Sequence, residues 1–192
     1  FRRVLFRSEE LLDYLADLSR KVYVMVEFGL ESHIDSSLKK MNRGHSFAES
    51  VWALEQTTLR NINNCAHLIL GLPGESYEDW MEQSRVVSDL PVKNLKLHQL
   101  QIHKGTVMEK QFLKNPDMFH LFTAEEYVEL VVDYLELLNP KIIIERFVSQ
   151  APSGMLIAPK WGLKNFEFVS KVEKRLKVRD TWQGKNHNLT KV

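Results

Sequence analysis

Apolar residues recur along this chain with two alternating spacings, one helical and one typical of buried strands. Between residues 9 and 19 they fall on one face of a helix, at Leu11, Leu12, Leu15 and Leu18. The apolar run over 22–28 then predicts a strand. The same alternation predicts helices over 35–41, 46–61, 78–90 and 123–138, and strands over 66–70, 95–102 and 142–144. Strands that alternate with helices predict parallel βα units, with both faces of the sheet covered.

Two architectures agree with this order of elements, an open doubly wound sheet and a (β/α) barrel. In both, ligands bind at the carboxyl ends of the parallel strands. Those ends fall at 27–32, 70–75, 99–106 and 145–152, where the polar residues and glycines of the chain concentrate. We therefore expect the functional site along this edge of the sheet.

The stretch from His67 to Ser76 predicts a buried strand, a tight turn and the start of a helix. Gly71 and Gly74 permit backbone conformations or close approaches that a Cβ would block, so a ligand can contact the backbone here. The helix start is marked by capping-box spacing, which recurs at two other predicted helix starts. The three pairs are Ser76 with Asp79, Ser46 with Glu49, and Thr123 with Glu126.

Length and composition indicate an ordinary globular protein with one core. The chain has 192 residues, 44% hydrophobic and 27% charged, and its 26 basic against 25 acidic side chains leave no global field that would attract nucleic acid or a membrane. The single cysteine excludes an internal disulfide framework and favours a reducing compartment. No apolar run approaches the roughly 18 residues of a membrane span. We expect a cytoplasmic protein.

The first eight residues, Phe1 to Ser8, resemble the translation of a common sequencing adapter more than a protein segment. We leave them out of the fold prediction as a non-native segment. If that interpretation holds, the native sequence begins at about Glu9, in the middle of a domain.

Three charged residues near the first strand end have candidate roles. Glu27 lies within an apolar strand, and a buried carboxylate needs a partner, so we expect a core salt bridge to a neighbouring strand. Glu31 follows the strand and is about equally a ligand contact or a solvated loop residue. Arg43 precedes a glycine, and its guanidinium either folds over the strand ends to bind a carboxylate or lies on the surface.

The histidines and the cysteine predict no metal site. His98 and His103 are five residues apart on one predicted strand, which places them on opposite faces, and His67 lies on another strand. Zinc needs convergent ligands, so packed or surface histidines are favoured over a metal centre. Cys65 has no neighbouring cysteine and is a poor candidate for a nucleophile.

Three segments in order resemble the second half of a radical S-adenosylmethionine core, and most closely its YhcC-type family, which is related to Elongator-like enzymes and to oxygen-independent coproporphyrinogen oxidase. The segments are 26–32 (VEFGLES), 38–47 (LKKMNRGHSF) and 67–75 (HLILGLPGE), with further likeness at 97–106, 124–130, 156–161 and 182–184. The resemblance implies an α/β fold that is part of a TIM-type (β/α) barrel, from its fourth strand onward. The barrel part spans 9–150, and a helical extension specific to the family spans 151–192.

The resemblance also implies a set of residues that contact S-adenosylmethionine. They are Glu31, Ser32, Arg43, His67, Ile69, Gly71 and Leu100. Glu31 follows the fourth barrel strand, Arg43 is positioned to pair with the methionyl carboxylate, and His67 on the fifth strand lies where relatives carry an acid that holds the ribose. Ile69, Gly71 and Leu100 would border the adenine. No catalytic residue is predicted.

Enzymes of this kind hold a 4Fe–4S cluster with a Cys-x-x-x-Cys-x-x-Cys loop, and this chain has one cysteine. The resemblance places that loop upstream of Glu9. It therefore implies that the full-length parent cleaves S-adenosylmethionine reductively, on an unknown substrate and with an electron donor such as flavodoxin or ferredoxin. The chain by itself is expected to be inactive.

Two alternatives stay open at this point. The chain could be a non-catalytic binding or scaffold half-barrel, which the missing cysteines favour. The Elongator-like kinship instead suggests an enzyme that modifies tRNA, with phosphates meeting a basic C-terminal region, although a solvated helix face explains that region as well. Its residues are Lys160, Lys164, Lys171, Lys174, Arg175, Lys177, Arg179 and Lys185.

Overall fold

The computed structural model describes residues 8–152 and 154–187 and alternates strands with helices. The helices are α1 (Glu9–Ser19), α2 (Asp35–Lys40), α3 (Phe47–Leu59), α4 (Tyr77–Ser88), α5 (Val107–Lys114), α6 (Ala124–Leu137) and α7 (Asn165–Val178), with a 3-10 turn at Pro116–Met118. The strands are β1 (Met25–Glu31), β2 (Asn63–Leu70), β3 (Asn94–Gln99), β4 (Ile102–His103), β5 (Ile143–Arg146) and β6 (Leu156–Ala158).

Four of these strands form one parallel sheet in the order β1-β2-β3-β5. The register places Gly29 beside His67, and His67 beside Lys96. The predicted α/β fold with a parallel sheet is therefore confirmed. Within the described residues the sheet is not closed, and it is compatible with part of a (β/α) barrel.

Alternate residues of the sheet face opposite sides, since successive side chains of a strand point in opposite directions. One side is apolar and forms the main core with the helices, and Leu30, Leu68 and Leu97 are fully buried there. The other side, here called the inner face, carries glycine and polar residues. We call its group of five titratable side chains the inner-face cluster; they are Glu27, His67, Lys96, His98 and Glu145.

The three predicted capping boxes are present. At the starts of α3, α4 and α6, the N-cap hydroxyl accepts a hydrogen bond from a backbone N–H three residues on, and the carboxylate there accepts one in return. Each pair satisfies two backbone donors that a helix start would leave without partners. These local signals fix where the helices begin.

The helical C-terminal part packs on α6 through a buried apolar contact and a row of ion pairs. Phe168 and Val172 of α7 are buried in the main core. Beside them two basic residues of α7 and Arg179, which caps the end of this helix, pair with acidic residues 46 positions earlier. The shortest distances are 3.2 Å for Lys171–Glu125, 2.7 Å for Arg175–Glu129 and 2.6 Å for Arg179–Asp133.

The predicted strand over 95–102 is wrong in its second half. β3 ends at Gln99, whose side-chain oxygen accepts a hydrogen bond from the Ser149 N–H (3.0 Å). Ile102 and His103 form β4, which pairs antiparallel with β6 in a separate two-stranded sheet. The apolar residues at 100 and 102 have the spacing of a continuing strand, but their side chains pack with Leu72 and Phe119 in a second, smaller core.

Other boundaries also differ. β1 begins at Met25 instead of residue 22, because Val22 and Tyr23 are exposed and precede the ladder. The sequence predicted neither α5 nor β6. The predicted non-native segment falls mainly on residues 1–7, outside the described residues, and its last residue, Ser8, caps α1 by accepting a hydrogen bond from the Leu11 N–H. Among the described helices, none is long and apolar enough to cross a membrane.

Candidate functional site

The loops after β1 and β2 are joined at the carboxyl edge of the sheet by one carboxylate. Ser32 is fully buried and donates a 2.6 Å hydrogen bond to Glu75, whose other oxygen accepts the Trp80 indole N–H at 3.0 Å. The Ser32 hydroxyl also accepts a hydrogen bond from the Ile34 N–H at 3.1 Å. Glu75 therefore fixes the β1 loop against the β2 loop and the first turn of α4.

Arg43 lies over the end of β1. This is the first of the two alternatives that the sequence left open, the other being a position on the surface. Its Nη2 is 3.2 Å from Glu31 Oε1, and the same nitrogen donates to the Gly29 carbonyl. Glu31 adopts a left-handed backbone (φ 64°) at an irregularity in the β1–β2 register, which turns its side chain back over Gly29. A Cβ at Gly29 would lie 2.6 Å from Arg43 Nη2 and closer still to Glu31 Oε1, so a larger residue would push this pair out of its present position.

The Arg43–Glu31 pair is largely removed from water. The Glu31 side chain is 14% exposed and that of Arg43 is 26% exposed. Burial raises the pKa of Glu31, and the charge of Arg43 offsets part of that shift. Burial also lowers the pKa of the nearby His45, and Arg43 lowers it further. Arg43 Nε is buried without a hydrogen-bond partner in the described part of the chain, so the guanidinium keeps a donor for a further acceptor.

His67 is held by the inner-face cluster. Its Nε2 lies 2.7 Å from Glu27 Oε2, and the other oxygen of Glu27 accepts from Lys96 Nζ at 2.6 Å. Lys96 Nζ is also 3.4 Å from Glu145 Oε2. Glu27 does form an ion pair within the sheet, but Lys96 lies on β3, two strands away from β1, and the carboxylate is 40% exposed on the inner face, so the expected core salt bridge to a neighbouring strand is wrong.

The pKa shifts within the inner-face cluster indicate which of its side chains are charged. The hydrogen bond from Lys96 lowers the pKa of Glu27, so that carboxylate is ionised. Burial lowers the pKa of His67, against the effect of Glu27. A neutral His67 that donates from Nε2 to a carboxylate leaves Nδ1 as an acceptor.

His98 belongs to this cluster. In the sequence it was considered only as a metal ligand, and a packed or surface position was favoured. Its ring lies 5.6 Å from that of His67, its Nδ1 is buried without a partner among the described residues, and burial lowers its pKa to about 4. The sequence did contain a signal for this position: His98 follows Lys96 by two residues on one strand, so both side chains face the same side of the sheet. His103 lies in the other sheet. No three His, Cys, Asp or Glu side chains among the described residues are placed to hold a metal ion.

Gly71, Ile69 and Leu100 meet at the smaller core. Gly71 has φ 97°, and a Cβ there would lie 2.9 Å from the Phe122 ring and 3.5 Å from Leu100 Cβ. Leu100 is 4% exposed, and Ile69 packs against the same core. Packing on one side thus favours glycine at position 71. The Leu100 backbone N–H donates a hydrogen bond to the Leu70 carbonyl (2.9 Å), which holds Leu100 next to the carboxyl end of β2.

The predicted site residues fall into three groups along this edge. Glu31 and Arg43 are in contact, and Ser32 joins them to the β2 loop through Glu75. His67 lies beside Gly29 in the register but is engaged with Glu27. Ile69, Gly71 and Leu100 lie at the smaller core. Together they offer a guanidinium for a carboxylate, one imidazole for a hydroxyl group and an apolar wall for a ring.

Comparisons with known families match two models along the chain. The model described as "Radical SAM superfamily" matches residues 3–83, and the one described as "Radical_SAM C-terminal domain" matches residues 92–178. The "Uncharacterized protein YtqA" of Bacillus subtilis is 34% identical over 177 residues, which are 92% of this chain and 54% of that protein. The "Protein YhcC" of Escherichia coli is 30% identical over 80% of this chain and 49% of that protein.

A comparison of structures agrees on the fold. The archaeal Methanocaldococcus infernus Elp3 with an N-terminal deletion matches with a TM-score of 0.77 at 18% sequence identity, over 96% of this chain and 44% of that one. The chain spans about half the length of the curated relatives it matches.

Proposed function

Because this chain belongs to the radical SAM superfamily, we propose that it forms the part of the catalytic domain that binds S-adenosylmethionine at the carboxyl edge of the sheet. The observation that carries the proposal is the Arg43–Glu31 pair over Gly29, with an unsatisfied Arg43 donor beside it. A guanidinium is the side chain best suited to bind a carboxylate with two parallel hydrogen bonds.

The chain's residues fit the two ends of this cofactor. Arg43 would take the methionyl carboxylate, and His67 would take a ribose hydroxyl through its Nδ1, with Glu31 and Ser32 at the loop between them. Ile69 and Gly71 would border the adenine, supported by Leu100. Neighbouring strands lie about 4.8 Å apart, so Arg43 over β1 and the adenine wall beyond β2 are separated by a distance that a nucleoside with an amino-acid tail can span.

The residues of this chain do not fit the iron–sulfur cluster of the superfamily. Such clusters need several thiolates, whereas the sequence has one cysteine. Cys65 is fully buried, and burial raises the pKa of its thiol to about 12. We propose that the thiolates come from outside these 192 residues and that the chain alone does not cleave the cofactor.

In the proposed enzyme S-adenosylmethionine supplies a carbon-centred radical that starts chemistry on a substrate. The role of this chain is to bind and orient. Arg43 fixes the amino-acid end, Glu75 keeps the two loops at their spacing, and Glu27 holds His67 in one tautomer. Such positioning matters because a misplacement of about 1 Å at a reacting centre can cost roughly a hundredfold in rate.

Binding tests this proposal directly. Calorimetry with S-adenosylhomocysteine, which keeps the carboxylate, and with 5′-methylthioadenosine, which lacks it, should give tighter binding of the former. Arg43→Ala should remove that preference. Arg60→Ala is the matched control, because Arg60 pairs with Asp13 away from the site (2.6 Å). If the preference survives in Arg43→Ala, the assignment of Arg43 is wrong.

Activity is tested on the full-length protein with its cluster reconstituted. Under reduction it should release 5′-deoxyadenosine, and the 192-residue chain should release none. Lack of product from a reduced full-length protein with an intact cluster would favour the alternative of a non-catalytic binding or scaffold half-barrel.

A tRNA substrate stays a second prediction with weaker support. Of the eight basic residues in the C-terminal region, Lys171, Arg175 and Arg179 are paired with carboxylates of α6, which reduces the charge available to phosphates. A gel shift with bulk tRNA at low and high salt tests it, and no shift at low salt removes it.

A further inference from the structure

We propose that Glu31 is a built-in competitor for the carboxylate of the ligand, so that binding at Arg43 breaks the Arg43–Glu31 pair and takes up a proton. The inference rests on the proposed function and refines it, since the family resemblance implies Glu31 only as a ligand contact. It predicts that the protein binds its ligand more weakly with Glu31 than without it.

The geometry puts Glu31 where a ligand carboxylate would bind. Arg43 Nη2 interacts with both Glu31 Oε1 and the Gly29 carbonyl, and Arg43 Nε is buried without a partner. A carboxylate that binds the guanidinium with two hydrogen bonds needs two neighbouring N–H groups. Because Arg43 Nε is the donor without a partner and Nη2 is the neighbouring donor on the guanidinium, the ligand carboxylate competes with Glu31 for Nη2.

The carboxylates of the ligand and of Glu31 would then both lie near one guanidinium. The pair is largely buried, with the exposures given above, so water screens the excess negative charge poorly. Two carboxylates that share a site in this way raise the pKa of one of them. Glu31 is the one to protonate, because burial already raises its pKa, whereas the α-carboxyl group of an amino acid is the stronger acid.

The other charged groups nearby do not offset this effect. Arg43 is the one charged side chain of the described residues that shifts the pKa of Glu31 by its charge. Glu75 faces Ser32 and Trp80, and Glu27 faces His67 and Lys96. His45 lies near Arg43, and burial lowers its pKa, which favours its uncharged form.

The position itself limits where Glu31 can go. Its left-handed backbone conformation is unusual for a residue other than glycine, asparagine or aspartate, so the surrounding loop imposes it. The neighbouring Ser32 is fixed by Glu75. The backbone therefore stays in place, and release from Arg43 is a rotation of the Glu31 side chain.

The test is calorimetry with S-adenosylhomocysteine between pH 5 and 8, in pairs of buffers with different ionisation enthalpies. The wild-type chain should take up between zero and one proton per ligand and bind more tightly as the pH falls. Glu31→Gln should take up fewer protons, bind several-fold more tightly at pH 7.5 and lose most of the pH dependence.

Two controls make the outcome specific. 5′-Methylthioadenosine, which has no carboxylate, should bind both proteins equally and reveal proton uptake by other groups such as the histidines. Glu31→Asn, whose side chain suits the left-handed backbone, should repeat the effect of Glu31→Gln if the missing charge is the cause.

The outcomes separate the two proposals. If wild type prefers S-adenosylhomocysteine over 5′-methylthioadenosine but Glu31→Gln and Glu31→Asn bind it equally or more weakly, Glu31 is a ligand contact and the inference is overturned. If wild type binds neither nucleoside, the proposed function fails, and the inference fails with it.

Discussion

Gly29 lies directly beneath Arg43, and a Cβ at this glycine would come within 2.6 Å of Arg43 Nη2. Gly29 has no unusual backbone angle, in contrast to Gly71 and Gly74. It is therefore the space around the side-chain position, and not the backbone conformation, that favours glycine here. Because Gly29 has no side chain, the Arg43 guanidinium can lie against β1 and donate a hydrogen bond to the Gly29 carbonyl.

Gly29→Ala should displace Arg43 and weaken binding of S-adenosylhomocysteine by about tenfold, which corresponds to about 1.4 kcal/mol. The reason is overpacking against the Arg43–Glu31 pair. Calorimetry measures the effect, and the control is the same substitution in an Arg43→Ala background, where only the contact with Glu31 remains and the loss should be smaller. An equal loss in both backgrounds would show that the clash lies elsewhere.

Ser32→Ala should lower the free energy of unfolding by about 1–2 kcal/mol, because Glu75 loses a buried donor and the Ile34 N–H loses its acceptor. Urea denaturation, followed by the fluorescence of Trp80 and the other tryptophans, measures this change. The matched control is Ser36→Ala, since Ser36 is exposed on the neighbouring α2. Equal stabilities of the two variants would mean that the Ser32–Glu75 bond contributes nothing net.

The unfolding free energy should fall as the pH drops from about 6.5 towards 4, in part because of His98. The unfolded side chain titrates near 6.5, while burial lowers the folded pKa to about 4, so the unfolded state binds more protons in this window. The full shift corresponds to a loss of about 3 kcal/mol, complete only below both values. Denaturation at a series of pH values should show a flatter profile for His98→Gln, and an unchanged slope would contradict this role.

Arg179→Gln should destabilise the packing of α7 on α6 by about 1 kcal/mol at low salt, because Arg179 contacts Asp133 at 2.6 Å and Glu136 at 3.0 Å. High salt should reduce the difference, since these side chains are partly exposed. Thermal unfolding at two salt concentrations measures it. Lys177→Gln is the control, because Lys177 makes no ion pair with the described residues, and it should have little effect at either concentration.

Local patterns predicted the fold better than they predicted the site. The spacing of apolar residues gave the alternation of strands and helices, and Ser46, Ser76 and Thr123 marked helix starts correctly, because capping depends on residues within one turn. The end of β3 was missed because Leu100 and Ile102 are apolar for a different reason, namely a second core formed with residues far along the chain.

The sequence by itself determined which residues can bind what: a guanidinium at Arg43, imidazoles at His67 and His98, and a turn with two glycines. The tertiary structure decided which of these meet. It brought Glu31 onto Arg43, Glu75 onto Ser32, and Glu27 between His67 and Lys96. These contacts join residues from 12 to 69 positions apart, and hydrogen bonds and ion pairs over such separations depend on strand register and loop course, which no local pattern encodes.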